Sequence, residues 1–149
     1  MASVIRSIAG GVAGIAVAVG TVAAFELLGR TVGALRPPPV SRAPEALSAY
    51  FQGLPVSALL FVALGWFVAV LLGSYAAVLI SRSRPVLFSL LVGGVILLAA
   101  VANFALLPHP VWFVAVGIAA VALATLFAAK ITGRATDGSS KSTPRRGRA

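Results

Sequence analysis

The charged residues of this chain are placed so that three long intervals carry none. Between Arg6 and Glu26 lie 19 uncharged residues, between Glu45 and Arg82 lie 36, and between Arg84 and Lys130 lie 45. A bilayer core about 30 Å thick takes roughly 20 apolar residues per helical span, so the first two intervals each hold one span and the third is too long for one. Pro108-His109-Pro110 divides it into 23 residues before the break and 19 after it. That division predicts two spans joined by a tight hairpin, with Pro110 suited to the first turn of the second.

Four transmembrane helices are therefore expected, at about 8–29, 54–80, 86–107 and 111–131. A closed β-barrel would need alternating segments of about ten residues, and runs such as Val92 to Ala102 are apolar all round instead, the helical pattern for lipid as solvent. The expected fold is all-α: one polytopic four-helix bundle over residues 1–132. Only 10% of residues are charged, against roughly 25% in an ordinary soluble domain, which excludes that class.

The same scarcity limits chemistry. There is no Cys, one His and three acids, and no nucleophile triad, metal-ligand cluster or Gly-rich phosphate loop. A non-enzymatic protein without metal or cofactor is expected.

Lys and Arg concentrate on cytoplasmic flanks. Arg6, the second loop (Arg82, Arg84) and the tail (Lys130, Arg134, Lys141, Arg145, Arg146, Arg148) hold nine positive residues, against Arg30, Arg36 and Arg42 in the first loop and none in the third. Both termini are placed in the cytoplasm. Arg6 before an apolar run, with Val22-Ala23-Ala24 as a cleavage site, also resembles a signal peptide, although the run exceeds the usual 7 to 15 residues. The tail, residues 133–149, has no apolar face to bury and is expected to be disordered, with its cations near anionic lipids. Topology accounts for the net charge of +9 without a nucleic-acid partner.

In the first loop, Arg36-Pro37-Pro38-Pro39 is stiff and extended. Ser41 and Pro44 signal a helix start and Gly53 a stop, giving a short helix at about 44–52 with Leu47, Tyr50, Phe51 and Leu54 at helical spacing. It either lies on the membrane surface with Tyr50 at headgroup level or caps the bundle.

Small residues let helices approach closely in lipid. Helix 1 carries Gly10 and Gly14, then Ala16, Gly20 and Ala24; helix 2 carries Gly65, Ala69, Gly73 and Ala77. These stripes serve packing within the chain, contact with a second copy, or contact with a membrane partner.

Glu26 is the one ionisable residue well inside a span, and such a residue is a functional candidate by default. It lies about 12 Å from the centre of its helix at 1.5 Å per residue, against a half-thickness of about 15 Å, so it sits just inside the outer boundary. Arg30, four residues on, stands in the favourable order for an i, i+4 pair. Glu26 is then either an interfacial ion-pair member or a proton- or cation-sensing carboxylate. Asn103 makes an interhelical hydrogen bond or lines a polar pocket. His109, in the outer hairpin, is a turn residue or a ligand, and Trp112 suits the aromatic belt. All of these map to the outer third of the bundle.

Phe25-Glu26-Leu27-Leu28-Gly29, Pro37-Pro38-Pro39, Leu54-Pro55 with Gly65-Trp66, and Asn103 followed by Pro108-His109-Pro110-Val111-Trp112 resemble a loosely defined group of short bacterial four-helix membrane proteins. That resemblance implies a bacterial plasma-membrane protein and brings no activity or cofactor with it. The chain is also similar to small multidrug resistance transporters, four-helix proteins with a functional Glu in helix 1. Here Glu26 lies near the helix end, away from the middle position that alternating access requires. The leading expectation is a non-enzymatic protein acting through helix association with itself or a membrane partner; the alternatives are a small dimeric transporter or channel using Glu26, and lipid or hydrophobic-ligand binding in the outer half.

Overall fold

The computed structural model describes residues 1–37, 39–41 and 43–140, with side chains as far as residue 133. Five helices follow in order: α1 (Ala2–Thr31), α2 (Pro44–Gln52), α3 (Val56–Ser81), α4 (Pro85–Leu106) and α5 (Val111–Ser140). Among the described residues there is no strand. α1, α3, α4 and Val111–Gly133 are long and apolar enough to cross a membrane. The chain is an all-α bundle of four candidate spans, alternating in direction, and a multi-pass membrane protein.

Helix ends follow local chemistry. At α1 the chain turns at Gly33, whose φ of 71° suits a residue without Cβ. The Gly33 N–H donates to the Arg30 carbonyl and the Leu35 N–H to the Gly29 carbonyl. Pro44 and Pro85 open α2 and α4, and the Pro110 carbonyl accepts from the N–H groups of Phe113 and Val114 to start α5. Between α3 and α4, Arg82 and Arg84 take left-handed φ values of 53° and 46°, and Ser81 Oγ donates to the Ser83 carbonyl.

Two ends differ from expectation. α1 begins at Ala2, well before residue 8, since no proline interrupts its first turns. α5 runs on to Ser140, past the end expected near residue 131. A glycine inside a helix costs only about 1 kcal/mol, and Thr132 Oγ1 satisfies itself on the Ala128 carbonyl. Residues 141–149, and the tail cations expected near anionic lipids from Arg134 onward, lie outside the described side chains.

The small-residue stripes close a seam between α1 and α3. A Cβ on Gly10 would lie 2.7 Å from the Ala77 carbonyl oxygen, one on Gly14 2.6 Å from Ala77 Cβ, and one on Gly73 2.6 Å from the Gly14 oxygen. Only glycine fits there. Gly65 makes room for Phe25, whose Cγ would lie 3.0 Å from a Cβ placed there, and Ala69 is wholly buried. Gly20 does not take part: nothing stands within 4 Å of a Cβ placed on it. The buried face of α1 runs through Gly10, Gly14, Ala18 and Gly29. Gly20, two residues past Ala18, is turned about 200° away.

Beneath the seam, Val70, Val92, Phe113 and Val121 are fully buried and join α3, α4 and α5. α1 leans on α3 and, through Gly11 against Leu91 and Phe88, on the start of α4. None of its Cα atoms comes within 8 Å of α5. Near the other ends of these helices, α1 and α4 diverge. That gap contains the candidate site.

Candidate functional site

A chamber of about 230 Å³ occupies the end of the bundle that carries α2. α1 supplies Glu26 and Arg30, the following loop Leu35 and Arg36, α3 Leu59 and Val62, α4 Asn103, and the hairpin and α5 supply His109 and Phe113. α2 roofs it with Tyr50 and Phe51. No Cα of α2 lies within 8 Å of another helix, so the space beneath is kept open.

The roof is held at two points. Tyr50 Oη donates to the Arg36 carbonyl at 2.6 Å, tying α2 to the loop, and the Phe51 ring lies 4.3 Å from the His109 ring, centroid to centroid. The short helix expected at about 44–52 is present as α2 with no fully buried residue, and Leu54 just after it packs against the core. Burial raises the Tyr50 phenol above its usual range, partly opposed by the Arg30 charge, so the hydroxyl keeps its proton.

His109 is the hub of the aromatic wall. Its ring also meets Phe104 at 5.3 Å and Phe113 at 5.5 Å. Nδ1 lies 2.9 Å from the Leu107 carbonyl. A carbonyl only accepts, so the neutral ring is assigned its proton on Nδ1, leaving Nε2 as an acceptor. Burial lowers its pKa, and the Leu107 bond opposes that in part.

Glu26 and Arg30 are only loosely paired, at 3.9 Å, with both side chains more than half exposed. That distance exceeds a hydrogen bond, and such i, i+4 pairs are worth about 0.2–0.5 kcal/mol. Their hydrogen-bonding capacity is largely unspent.

A second cavity, of about 190 Å³, adjoins the chamber and shares Glu26, Val62 and Asn103 with it. Its remaining walls, Val22, Trp66, Ile96, Ala99 and Ala100, are apolar. It lies between α1 and α4 over α3. Trp66 forms its base, supported by Phe104 and Phe113 at 5.5 and 5.9 Å; Gly117 leaves room for the Trp66 and Phe104 rings.

Four of the five expected site residues, Glu26, Arg30, Asn103 and His109, thus share one chamber. Trp112 does not; it is 41% exposed and meets only the edge of the cluster, at Phe113. Arg36 and Phe113 also line the chamber without a sequence signal that marks them as site residues. Arg36 counted only as a flanking charge, and Phe113 followed a more conspicuous Trp. A broader depression of about 450 Å³ at the opposite end, lined by Ser3, Ser7, Ser83 and Arg84 among others, holds no acid. The hydroxyls of Ser74 and Ser89 are buried without a protein partner, and neither lines the chamber. Among the described residues no group of three or more His, Cys, Asp or Glu is placed to hold a metal.

Compared with family models, curated proteins and solved structures, the chain matches none.

Proposed function

We propose that this protein is a non-enzymatic amphiphile-binding protein of a bacterial plasma membrane, with both termini cytoplasmic and the chamber on the opposite side. The observation that carries the reading is the junction of a charged chamber with an apolar cavity through Glu26, Val62 and Asn103. A molecule with a polar head and an apolar chain needs that adjacency, and each cavity alone is smaller than the roughly 300–1,000 Å³ of an ordinary ligand site. The orientation rests on the excess of Lys and Arg in the flanks assigned to the cytoplasm.

The competing readings draw less support. Gly10, Gly14, Gly73 and Ala77 are used inside the chain, which leaves them unavailable for a partner. A transport path through a single chain would have to cross the layer formed by Ala69, Val70, Ser74, Val92, Val121 and Ala124, each at most 1% exposed.

The test is photolabelling in liposomes with a lipid carrying a diazirine on its chain, followed by mass spectrometric mapping. Labels are expected on Val22 and Ile96, and Ala99→Phe, which narrows the cavity, should remove them. Equal labelling of outward side chains such as Leu98 and Leu126 would refute the proposal.

A further inference from the structure

We infer that the ligand is a single-chain amphiphile with a phosphate headgroup and a free hydroxyl near its ester, the chemistry of a lysophospholipid; this rests on the amphiphile reading above. The order of groups along the site decides the class. The apolar cavity is a groove running from the chamber along α1 and α4 and, at about 190 Å³, is small for two acyl chains. Glu26 and Asn103, shared by both cavities, stand where a chain joins its head. Arg30 is one helical turn, about 6 Å, closer to the α2 end, and Arg36 lies in the loop beyond it.

Read outward, the site offers a slot for one chain, then a carboxylate acceptor and an amide, then two guanidiniums. A hydroxyl on the glycerol unit donates to Glu26, and the ester carbonyl accepts from the Asn103 amide. The Asn103 side chain has no hydrogen-bond partner elsewhere among the described residues. The phosphate takes the guanidinium forks of Arg30 and Arg36, whose planar donors suit phosphate oxygens. Tyr50 is already committed as a donor to the Arg36 carbonyl, which fixes the backbone that presents Arg36. A two-chain phospholipid offers an ester in place of the hydroxyl, leaving Glu26 against another acceptor.

Trp66 reports the test, because it lines the apolar cavity while Trp112 does not. The full chain carrying Trp112→Phe is titrated in maltoside micelles with 1-acylglycerol 3-phosphate, the matching monoacylglycerol, a two-chain phosphatidic acid and inorganic phosphate, and Trp66 emission is followed. The acylglycerol phosphate should bind at least about tenfold more tightly than the monoacylglycerol and more tightly than the two-chain acid, while inorganic phosphate leaves Trp66 unchanged. Arg30→Ala and Arg36→Ala should each erase most of the phosphate preference and leave monoacylglycerol binding intact. Arg84→Ala, at the opposite end, should have no effect.

Equal binding of monoacylglycerol and its phosphate, or of one-chain and two-chain phosphates, overturns this inference and leaves amphiphile binding standing. Loss of affinity in Arg84→Ala equal to that in Arg30→Ala reduces the effect to general surface charge and also overturns it. No response to any amphiphile removes both.

Discussion

Replacing Gly73 by alanine adds one methyl group at the tightest point of the α1–α3 seam. The new Cβ would stand 2.6 Å from the Gly14 oxygen, 2.8 Å from Ala18 Cβ and 2.9 Å from Val92 Cγ1. None of these is the far end of a flexible side chain, so relief requires α1 to move outward by about 0.8 Å to reach ordinary contact. A gap of 0.5–1 Å forfeits a quarter to a half of each contact of 0.1–0.2 kcal/mol. About twenty such pairs along the seam lose roughly 1 kcal/mol, and strain in what remains brings the cost to about 1–3 kcal/mol. That is roughly a 5- to 150-fold fall in the folded-to-unfolded ratio. Lipid cannot compensate, since helices in a bilayer associate through this packing. The measurement is equilibrium unfolding in bicelles for Gly73→Ala, Gly14→Ala, the double variant and Gly20→Ala. The first two should each be destabilised within that range. The double variant should lose less than their sum, because both push the same two helices apart. Gly20→Ala should fall within about 0.5 kcal/mol of the parent. If Gly73→Ala proves as stable as Gly20→Ala, the seam as described is wrong.

Three further outcomes are expected. His109 has a folded-state pKa below 6.5, so the unfolded chain takes up its proton first as pH falls. The stabilisation it provides is full above about pH 6.5 and declines as pH drops through the folded value; melting between pH 7.5 and 5 should show that slope, and His109→Phe should flatten it. An unchanged slope in the variant would assign it to another group. Arg82→Gly relieves a left-handed residue that costs a side chain about 1 kcal/mol or more and should raise stability by about 1 kcal/mol in the same unfolding assay. Glu26→Gln should change stability by less than about 0.5 kcal/mol, whatever it does to ligand binding, and a larger loss would mean the Glu26 carboxylate is structural.

Much of this arrangement could be read from the sequence for simple reasons. Charge-free intervals and one Pro-His-Pro break mark spans directly, because the cost of charge in lipid acts on sequence position before any tertiary contact forms. The depth of Glu26, Asn103 and His109 likewise follows from counting along straight helices. What counting missed depends on direction around the axis or on loop path. Trp112 and Phe113 are neighbours, yet about 100° of rotation sends one outward and the other into the aromatic cluster. Gly20 fits a four-residue spacing with Ala16 and Ala24 but lies off the face that Gly14 and Ala18 define. Arg36 enters the chamber only because Gly33 turns the chain and Leu35 folds back over Gly29, which a count of flanking charges does not contain. α5 outruns the bound near residue 131 because no proline stops the helix there.

The lopsided position of α1 has a consequence for how the molecule is made. This helix rests on α3 and barely on anything else, so when it leaves the ribosome its only substantial neighbour has not been synthesised. From Thr31 until α3 is complete at Ser81, α1 must reside in lipid as a solitary helix. Its seam permits that delay: Gly10, Gly14 and Ala18 expose no polar side chain, and its one buried-depth acid sits within a turn of the boundary beside Arg30. The later helices then arrive as a group, α3 docking on the waiting glycine face while α4 and α5 close against its other side. Nascent chains truncated before α3 should therefore be anchored but unpaired, and the chamber exists only once the last helix has brought Phe113 against His109.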